Sequence, residues 1–549
     1  MVRQYLVVKP GQDTARTDFL NAYRSQDFNS LTGYVVELLG KLGALEPFRR
    51  DLGIDVTSAP SLHWEADLDG APSGPDLAHD LEEFIVALEM HSDQVSALHG
   101  FIANNARKST DNGSSIHWVG ADPGGDLADH WCPGGAGLAS FGRRSDARRT
   151  MRIDELHKGL LAGISNSANP RVNVVIIDQG LNKEAILAAH RGNWGGGWKA
   201  KGRHPGKADR RSHGMLIARN VLDIAPDAVL YDVPLIPKPV ISSVPVFASN
   251  AHAVYDTLFA WIRVLRNHHR WAGPWVFVNA WAIYDRSSET PLGDYTEDTN
   301  STDPQSPGHR LNTVIANAAR YEKIDVVFAA GNCGTFCPAS RCGKLDRGPG
   351  RSIWGGNSSS YVITAGAVLT NETWLGYSSQ GPGQQRLGSE KPDFCAPSVF
   401  AETMDAHVLN TGTSTASALT AGVVAALRQG WDTSLVSPQV LRQTLIATAR
   451  KVQGTDWSER WGYGVLNAAA AFEELSTAFG RPQAGAAQNA PAAPPVLSPI
   501  PAAPAEAIGP PVQPIGMRER GWLGRIFASV RSFISRLSRT GRRTGIAKQ

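Results

Sequence analysis

The sequence contains few cysteines, no long apolar run and no recognisable leader. Five cysteines among 549 residues are too few for a disulfide framework. No stretch approaches the roughly 18 consecutive apolar residues that a membrane-spanning helix requires. The N-terminus, MVRQYLVVKPGQD, has only four consecutive apolar side chains, which is too short for the core of a signal peptide. We therefore expect a cytoplasmic protein, with leaderless export as the alternative.

The chain has a small net charge, and its charged residues are unevenly distributed. Charged residues make up 19% of the chain and hydrophobic residues 42%, as in soluble globular proteins. The net charge of +3 combines a tail, residues 517–549, of net charge +8 with a remainder of net charge −5. A mildly acidic body with a basic tail is not the profile of a nucleic-acid-binding fold, so no nucleic-acid partner is expected.

Composition divides the chain into four regions. Residues 1–165 are mixed, with a strand-like QYLVV and a helical pattern from Asp76 to His99. Residues 166–478 alternate strand-like runs with helical segments. Residues 479–516 are rich in proline and alanine, which predicts a solvated, semi-extended linker, and residues 517–549 form the basic tail.

The strand-like runs of the second region are almost continuously apolar. Examples are VNVVIID, AVLYDVPLI, WVFVNAW, DVVFAAG and YVITAGAV. Such runs, separated by helices, predict a mostly parallel sheet covered by helices on both faces. In proteins of this architecture the chemistry lies at the carboxyl ends of the strands. Asp178 ends the first of these runs, and Asn332 follows the fourth.

Two further polar residues begin helical patterns. His213 opens HGMLIARNVLDI, and Ser414 lies in NTGTSTASALTAG. Taken alone, each residue has an ordinary structural explanation, since Asp and Ser commonly cap helices and Asn commonly occupies turns. Taken together, the order Asp178, His213, Ser414 is one of the orders in which a Ser-His-Asp triad occurs.

Several sequence blocks occur in the order found in one protease family. They are VVIIDQGL, SHGMLIA, VVFAAGN and NTGTSTASALTAG, with VITAGAV, YSSQGPG, KPDFCAPS and WGYGVLNAAAA in support. From about Arg171 to Phe472 the chain resembles the catalytic domain of the subtilisin-like serine proteases (subtilases). The resemblance implies an α/β, subtilisin-like three-layer domain with a mostly parallel sheet covered by helices on both faces. Outside it, the sequence predicts an N-terminal α/β accessory region and a C-terminal amphipathic helix.

The resemblance also implies a role for each matching residue. Asp178, His213 and Ser414 are expected to form the catalytic triad, and Asn332 to bind the oxyanion. The residues expected to contact substrate are Trp281, Ala282, Ala330 and Gly331.

The chain departs from the family pattern at two places. Ala418 replaces a proline that shapes the start of the helix and does no chemistry. Trp281, Ile283 and Tyr284 replace small residues along the substrate-binding edge, which predicts a narrowed or reshaped primary pocket. The basic loop 191–213 is expected either to favour acidic residues in a substrate or simply to be solvated.

Three of the cysteines follow the expected oxyanion residue. Cys333, Cys337 and Cys342 lie in NCGTFCPASRCG, and Cys395 lies on a strand expected nearby. The four are compatible with a structural zinc site, although their spacing is not that of a standard zinc knuckle. A disulfide beside the oxyanion loop and reduced thiols are the other two interpretations. Catalysis requires no cofactor, and DYTEDTNSTD is a weak candidate for structural calcium.

The two ends of the chain suggest regulation. QYLVVKPGQDTARTDFLNAY resembles the start of subtilase propeptides, so residues 1–165 are expected to be inhibitory and chaperone-like, regulatory, or a plain accessory domain. The tail carries apolar residues on one helical face and arginines on the other, which predicts an in-plane membrane helix or a partner-binding helix. The apolar residues are Trp522, Leu523, Ile526, Phe527, Val530, Phe533, Ile534 and Leu537.

These features together predict an intracellular serine endopeptidase that acts on a protein or peptide substrate and lies at the inner face of the membrane. Its resemblance to signal-less bacterial proteases implies a dedicated target, such as a pore-forming effector of a defence module. A binding or scaffold protein built on a silent protease fold at the membrane surface is the alternative. The intact set of Asp178, His213, Asn332 and Ser414 favours the enzyme.

Overall fold

A computed structural model describes most of residues 2–482. The described residues are 2–11, 14–25, 27–42, 57–60, 62–75, 83–105, 109–110, 113–122, 124–128, 142–163, 171–190, 192–236, 247–287, 309–402, 409–452, 454 and 456–482. Within these ranges no helix is long and apolar enough to cross a bilayer. Residues 483–516 of the expected linker, the basic tail and the candidate calcium segment lie outside these ranges, whereas Phe479, the first residue of the expected linker, ends a helix.

The described chain contains 16 strands and 13 α-helices. The strands are β1 Val2–Lys9, β2 Thr57–Pro60, β3 Glu65–Asp67, β4 Phe84–Met90, β5 Ser115–Ala121, β6 Asp126–Leu127, β7 Asn173–Asp178, β8 Trp194–Lys199, β9 Val229–Pro234, β10 Trp275–Asn279, β11 Trp281–Ala282, β12 Ile324–Ala329, β13 Ile363–Val368, β14 Phe394–Pro397, β15 Phe400–Ala401 and β16 Leu409–Asn410. The helices are α1 Thr14–Ser25, α2 Phe28–Lys41, α3 Ser92–Asn105, α4 Arg144–Met151, α5 Ile153–Gly163, α6 Lys183–Ala189, α7 His213–Ile224, α8 Phe247–Leu265, α9 Arg310–Arg320, α10 Gln385–Gly388, α11 Gly412–Gly430, α12 Pro438–Ala447 and α13 Ala468–Phe479.

The main sheet has eight strands in the order β14-β13-β12-β10-β7-β9-β8-β3. Every neighbouring pair is parallel except β3 and β8, which are antiparallel. The central strands β7, β9, β10 and β12 are buried along their whole length. This burial explains their continuous apolar sequences and confirms the expected α/β fold, because helices cover both faces of such a sheet.

The N-terminal region forms a separate four-stranded antiparallel sheet in the order β2-β4-β1-β5. One face packs against α1, α2 and α3 through apolar side chains such as Leu6 and Phe19. The other face packs on the larger domain, since Tyr5 and Ile85 share a core cluster with residues of α8. Successive side chains along β1 therefore pack into two different hydrophobic cores, one on each face of the sheet.

One element of the N-terminal region joins the main sheet directly. Strand β3 pairs antiparallel with the edge strand β8, with Ala66 opposite Trp198. Glycines in β8 permit this close approach, because a Cβ on Gly196 would lie 2.4 Å from the carbonyl oxygen of Asp67. The N-terminal region thus covers an edge of the larger domain's sheet.

The helical pattern from Asp76 to His99 is wrong over part of its length. Residues Phe84–Met90 form strand β4, which lies between β1 and β2, and helix α3 begins only at Ser92. A short buried apolar run such as FIVALEM does not distinguish helix from strand by its periodicity. Pairing with two neighbouring strands decides the structure here. Residues 76–82 lie outside the described part of the chain.

Helix α11 passes through the core of the larger domain against the parallel strands. Its residues from Gly412 to Leu427 are all buried, which the run of alanine, glycine, serine and threonine makes sterically possible. Near its C-terminal end Arg428 forms a two-pronged ion pair with Asp325 of β12, with N–O distances of 2.6 and 2.7 Å. Both side chains are almost fully buried, so the pair fixes α11 to the strand that precedes Asn332.

Candidate active site

Asp178 and His213 meet at the carboxyl end of β7. His213 Nδ1 lies 2.8 and 2.9 Å from the two carboxylate oxygens of Asp178. The His213 side chain is 5% exposed and that of Asp178 is fully buried. The contact occupies Nδ1, so Nε2 is the nitrogen that remains for proton exchange with a reacting group.

Hydrogen bonds to neighbouring groups hold the loop after β7 and the start of α7, which carry Asp178 and His213. The Asp232 carboxylate, on adjacent strand β9, accepts hydrogen bonds from the Leu181 and Gly206 amides at 2.9 and 2.7 Å. Burial, with a smaller contribution from the charge of Asp178, raises the pKa of Asp232 to about 7. At the start of α7, Ser212 Oγ donates to the Gly180 carbonyl at 2.8 Å. These bonds hold the loop after β7 against the helix that carries His213.

Ser414 lies in the first turn of α11 and is fully buried. The helix begins at Gly412, which has φ +71°, and the residue at the N-cap is Thr411, whose side chain makes no capping bond. Ser414 Oγ instead donates to the Ala280 carbonyl at 3.3 Å. Ser414 is therefore not the helix cap, and its hydroxyl lies in the positive backbone field of a helix N-terminus.

The orientation of the Asn332 side chain follows from its contacts with Thr413. The Thr413 amide and hydroxyl both donate to Asn332 Oδ1, at 3.0 and 2.9 Å. Because a backbone N–H can only donate, this oxygen is fixed toward Thr413. Asn332 Nδ2 therefore points the other way, toward the Ala128 carbonyl at 2.7 Å.

A short segment of the N-terminal region occupies the cleft between these groups. The Ala128 carbonyl accepts from Asn332 Nδ2 and also from the Ser414 amide at 3.2 Å. The Ala128 amide donates to the Ala280 carbonyl at 2.8 Å, and β6 pairs antiparallel with β11. The segment thus lies as an added strand, with one carbonyl held by two donors. This contact is not predictable from sequence, because every residue type has a backbone carbonyl.

Two side chains also contact the segment: Tyr284, which sequence placed along the substrate-binding edge, and Arg341, which sequence did not place at the site. Tyr284 Oη donates to the Leu127 carbonyl at 3.1 Å and lies 3.3 Å from Asn332 Nδ2. Arg341 forms an ion pair with Asp126, at 3.0 Å from Nη1 to Oδ2, and its Nη2 donates to the Leu127 carbonyl at 2.5 Å. The Arg341 guanidinium also stacks over the Tyr284 ring, 4.5 Å from its centroid.

The four residues expected to contact substrate have different positions. Trp281 and Ala282 pair through their backbones with Leu127 and Asp126. The Trp281 indole is fully buried against Phe247 and Phe328, so it belongs to the core. This corrects the expectation that Trp281 narrows the primary pocket through its side chain.

Ala330 and Gly331 connect β12 to Asn332. The Ala330 amide donates to the Ala365 carbonyl at 2.9 Å, and the Gly331 amide donates to Thr413 Oγ1 at 3.1 Å. Gly331 has φ +102°, and a Cβ there would lie 2.9 Å from Ser379 Oγ. The turn therefore requires glycine for both conformation and space.

The cysteines after Asn332 take the disulfide alternative. Cys333 and Cys342 are joined by a disulfide bond, whereas Cys395 is a buried free thiol. Cys337 is also disulfide-bonded, so three sulfurs of the candidate zinc set are not available as thiolate ligands. Among the residues whose placement is described, no group of three or more histidine, cysteine or acidic side chains is arranged to hold a metal.

The N-terminal region also contacts the larger domain through buried polar groups. The Asp122 carboxylate accepts from the Ala248 and Ser249 amides at the start of α8, at 2.9 and 3.3 Å. Burial raises the pKa of Asp122 to about 6. His309 Nε2 donates to the Ala121 carbonyl at 2.6 Å, while its Nδ1 accepts from the Leu311 amide. Burial holds the pKa of His309 well below 6.5, so the ring is neutral.

Comparison with known proteins gives a clear family match. A model of the subtilase family matches residues 169–464, more than half of the chain. No curated protein gives a significant sequence match.

Similar folds occur among solved structures. Fervidolysin from Fervidobacterium pennivorans, a keratinolytic enzyme related to subtilisin, is 14% identical with a TM-score of 0.46, covering 86% of this chain and 61% of its own. MycP1 from Mycobacterium smegmatis is 19% identical with a TM-score of 0.39, covering 64% and 90%.

Proposed function

The chain belongs to the subtilase family of serine endopeptidases, and on this premise we propose that it hydrolyses peptide bonds through Asp178, His213 and Ser414. Ser414 is the nucleophile, His213 the general base and then the general acid, and Asp178 orients and stabilises the imidazolium. The observation that carries the proposal is the Ala128 carbonyl, which accepts from both Asn332 and Ser414.

In the proposed reaction these groups act in sequence. Ser414 Oγ attacks the carbonyl carbon of the residue in the position of Ala128, and its proton passes to His213 Nε2. The oxyanion that forms is stabilised by the Asn332 amide and the Ser414 backbone N–H. His213 then protonates the leaving amine, the peptide bond breaks, and water hydrolyses the acyl-enzyme by the same proton route.

We further propose that residues 1–128 act as an intramolecular substrate and inhibitor. The strand pairing of β6 with β11 supports this role, because it holds the segment in an extended form directly before Ala128, whose carbonyl accepts from Asn332 and Ser414. The packing of the N-terminal sheet on α8 also supports it, since that contact keeps the segment at a high local concentration. A segment held in this way blocks other substrates until it leaves.

Purified full-length protein tests both parts of the proposal. Wild type should react with a fluorophosphonate probe and yield a new N-terminus at Asp129, seen by sequencing and mass. Ser414→Ala should abolish both, whereas Ser417→Ala, which removes a neighbouring hydroxyl of the same helix, should keep both. Absence of labelling in wild type would favour the silent binding protein. Labelling with a cut elsewhere would overturn the assignment of residues 1–128.

The proposal also includes the cellular location of the enzyme and its attachment to a membrane. We propose that the enzyme acts inside the cell beside a dedicated target protein, and the basic amphipathic pattern of residues 517–549 supports attachment to an anionic membrane surface. Sedimentation of full-length S414A with anionic vesicles, but not with neutral ones, is the expected result. Equal recovery with both vesicle types would contradict attachment through the arginines.

A further inference from the structure

The contacts of the bound segment are of two kinds. Those of the Ala128 amide and carbonyl and of the Leu127 carbonyl involve main-chain atoms, which every substrate possesses. The contact between Asp126 and Arg341 instead depends on a side chain of the segment. Recognition of sequence by the cleft is therefore expected to involve this second contact.

We propose that Arg341 is a specificity-determining residue that selects an acidic side chain two positions before the residue whose carbonyl is attacked. The inference rests on the proposed function and adds a substrate class to it: proteins and peptides with aspartate at that position. Asp126 occupies this position relative to Ala128 in the chain's own segment.

The burial of the pair makes the contact selective. The Asp126 side chain is 5% exposed and that of Arg341 is 28% exposed, so water does not fully replace either partner. A buried carboxylate needs a paired cation, and a buried cation left without its carboxylate is unfavourable. A lysine in the position of Asp126 would place two positive charges together, which is worse than a neutral side chain.

The planar guanidinium of Arg341 recognises the segment by its shape as well as by its charge. Arg341 Nη1 reaches the Asp126 carboxylate while Nη2 reaches the Leu127 carbonyl, so one planar group binds a side chain and the following peptide together. A lysine ammonium presents a single point charge and does not reproduce this arrangement.

The surroundings of Arg341 hold the guanidinium in place before a substrate arrives. Arg341 directly precedes Cys342, which the disulfide joins to Cys333, the neighbour of Asn332. The Ala339 amide donates to the Asn332 carbonyl at 2.9 Å, and the Cys342 amide donates to the Ala339 carbonyl at 3.0 Å. The loop that carries the selecting cation is therefore fixed to the residue that binds the oxyanion.

Cleavage of matched peptides tests the inference, with full-length enzyme that has cut itself and released residues 1–128, since the bound segment blocks the cleft. The peptides are Gly-Gly-Xaa-Leu-Ala with a reporter amide on the alanine carbonyl, where Xaa is aspartate, asparagine or lysine. Rates are divided by the active sites that a fluorophosphonate probe titrates. For wild type we expect kcat/KM to fall from aspartate to asparagine by about tenfold or more, and further to lysine.

The charge-reversed variant Arg341→Glu should invert this order, with lysine cleaved best. Lys344→Gln removes an exposed positive charge from the same loop and should keep the wild-type order. The ratio between peptides is the measurement, because loss of the Arg341 contact with the Leu127 carbonyl slows all three alike. Equal cleavage of the three peptides by wild type, or an unchanged order in the Glu variant, would overturn the inference. If Ser414 takes no probe and no peptide is cut, the proposed function fails, and this inference falls with it.

Discussion

The side-chain amide nitrogen of Asn332 lies 2.7 Å from the carbonyl oxygen of Ala128. This is the distance at which a donor stabilises negative charge on that oxygen as the carbonyl becomes tetrahedral. Asn332→Ala should therefore lower kcat by about 10² to 10³, the magnitude that one such donor contributes in a related enzyme, with KM nearly unchanged. Steady-state kinetics on a peptide substrate measure both constants. A change confined to KM would contradict the assignment.

Thr413 should act on catalysis through Asn332 and the Gly331 amide beside it. Its hydroxyl and amide donate to Asn332 Oδ1, and its hydroxyl also accepts from the Gly331 amide. Thr413→Val keeps a similar volume but loses both hydrogen bonds of the hydroxyl, so kcat is expected to fall about tenfold or more while KM stays in place. Thr413→Ser should restore the rate because it restores the donor. If the serine variant is as slow as the valine variant, packing of the threonine methyl group explains the effect instead.

The disulfide should support selectivity more than turnover. The Cys333–Cys342 bond closes the loop that carries Arg341. The double variant C333A/C342A, assayed without reductant, is expected to cleave aspartate and asparagine peptides at more similar rates than wild type. Its cleavage of the asparagine peptide should change less than that of the aspartate peptide. An undiminished preference would show that the hydrogen bonds of the loop suffice to place Arg341.

Asp122 should make docking of the cut N-terminal segment depend on pH. The pKa of the Asp122 carboxyl is about 6 when the segment is docked, above the ordinary 3.8. The carboxyl's favourable contribution to the free energy of docking is therefore complete below about pH 4 and is lost as the pH rises through 6. In Asp122→Asn this alkaline loss disappears. Size-exclusion chromatography of probe-inhibited, cleaved protein between pH 5 and 7 measures the retained fraction.

His309 should make docking of the N-terminal segment weaken at low pH, the opposite of the effect expected for Asp122. Its pKa is well below 6.5 when docked, so its contribution is complete above about pH 6.5 and is lost as the pH falls. His309→Asn, which keeps an acceptor for the Leu311 amide, should therefore retain the segment better at pH 5, relative to pH 7, than wild type does. Asp122→Asn should retain it worse. If the retained fraction depends on pH in the same way in both variants, the opposite effects expected for Asp122 and His309 are contradicted.

Breaking the Asp325–Arg428 pair should destabilise the fold. Both partners are almost fully buried, so Arg428→Ala leaves an uncompensated carboxylate in the core and should lower the free energy of unfolding by about 3–5 kcal/mol. Arg481, whose side chain is 61% exposed, pairs with Glu473 at the surface, and Arg481→Ala should cost about 1 kcal/mol or less. Denaturant unfolding in an S414A background, which prevents self-digestion, compares the two. Equal losses would contradict the difference in burial.

The parallel strands, and the positions of Asp178 and Ser414 at a strand end and a helix start, could be predicted from sequence, because each rests on a local pattern. Asp178 follows a buried strand, and Ser414 begins a helix of small residues. Strand β4 was not predictable in the same way, since its pairing partners decide its structure. The indole of Trp281 was assigned to the pocket on the basis of position alone, and the structure assigns it to the core through Phe247 and Phe328.

The contacts of the bound segment lay beyond sequence reasoning for a different reason. Arg341 and Asp126 are 215 residues apart, and neither lies in a block that resembles the family. Ala128 contributes only its backbone. The propeptide-like character of the region was suggested by its first residues, but the point at which it enters the cleft depends on tertiary structure.

Strand β3 gives the departure of residues 1–128 a further consequence. If residues 1–128 leave as proposed, β8 becomes the edge strand of the sheet, and the backbone N–H and C=O groups that pair with β3 face solvent. The sequence of β8, WGGGWK, offers few side chains to shield them. An unpaired edge strand of this kind accepts an extended stretch of another polypeptide by backbone pairing, at a place separated from β7 by β9.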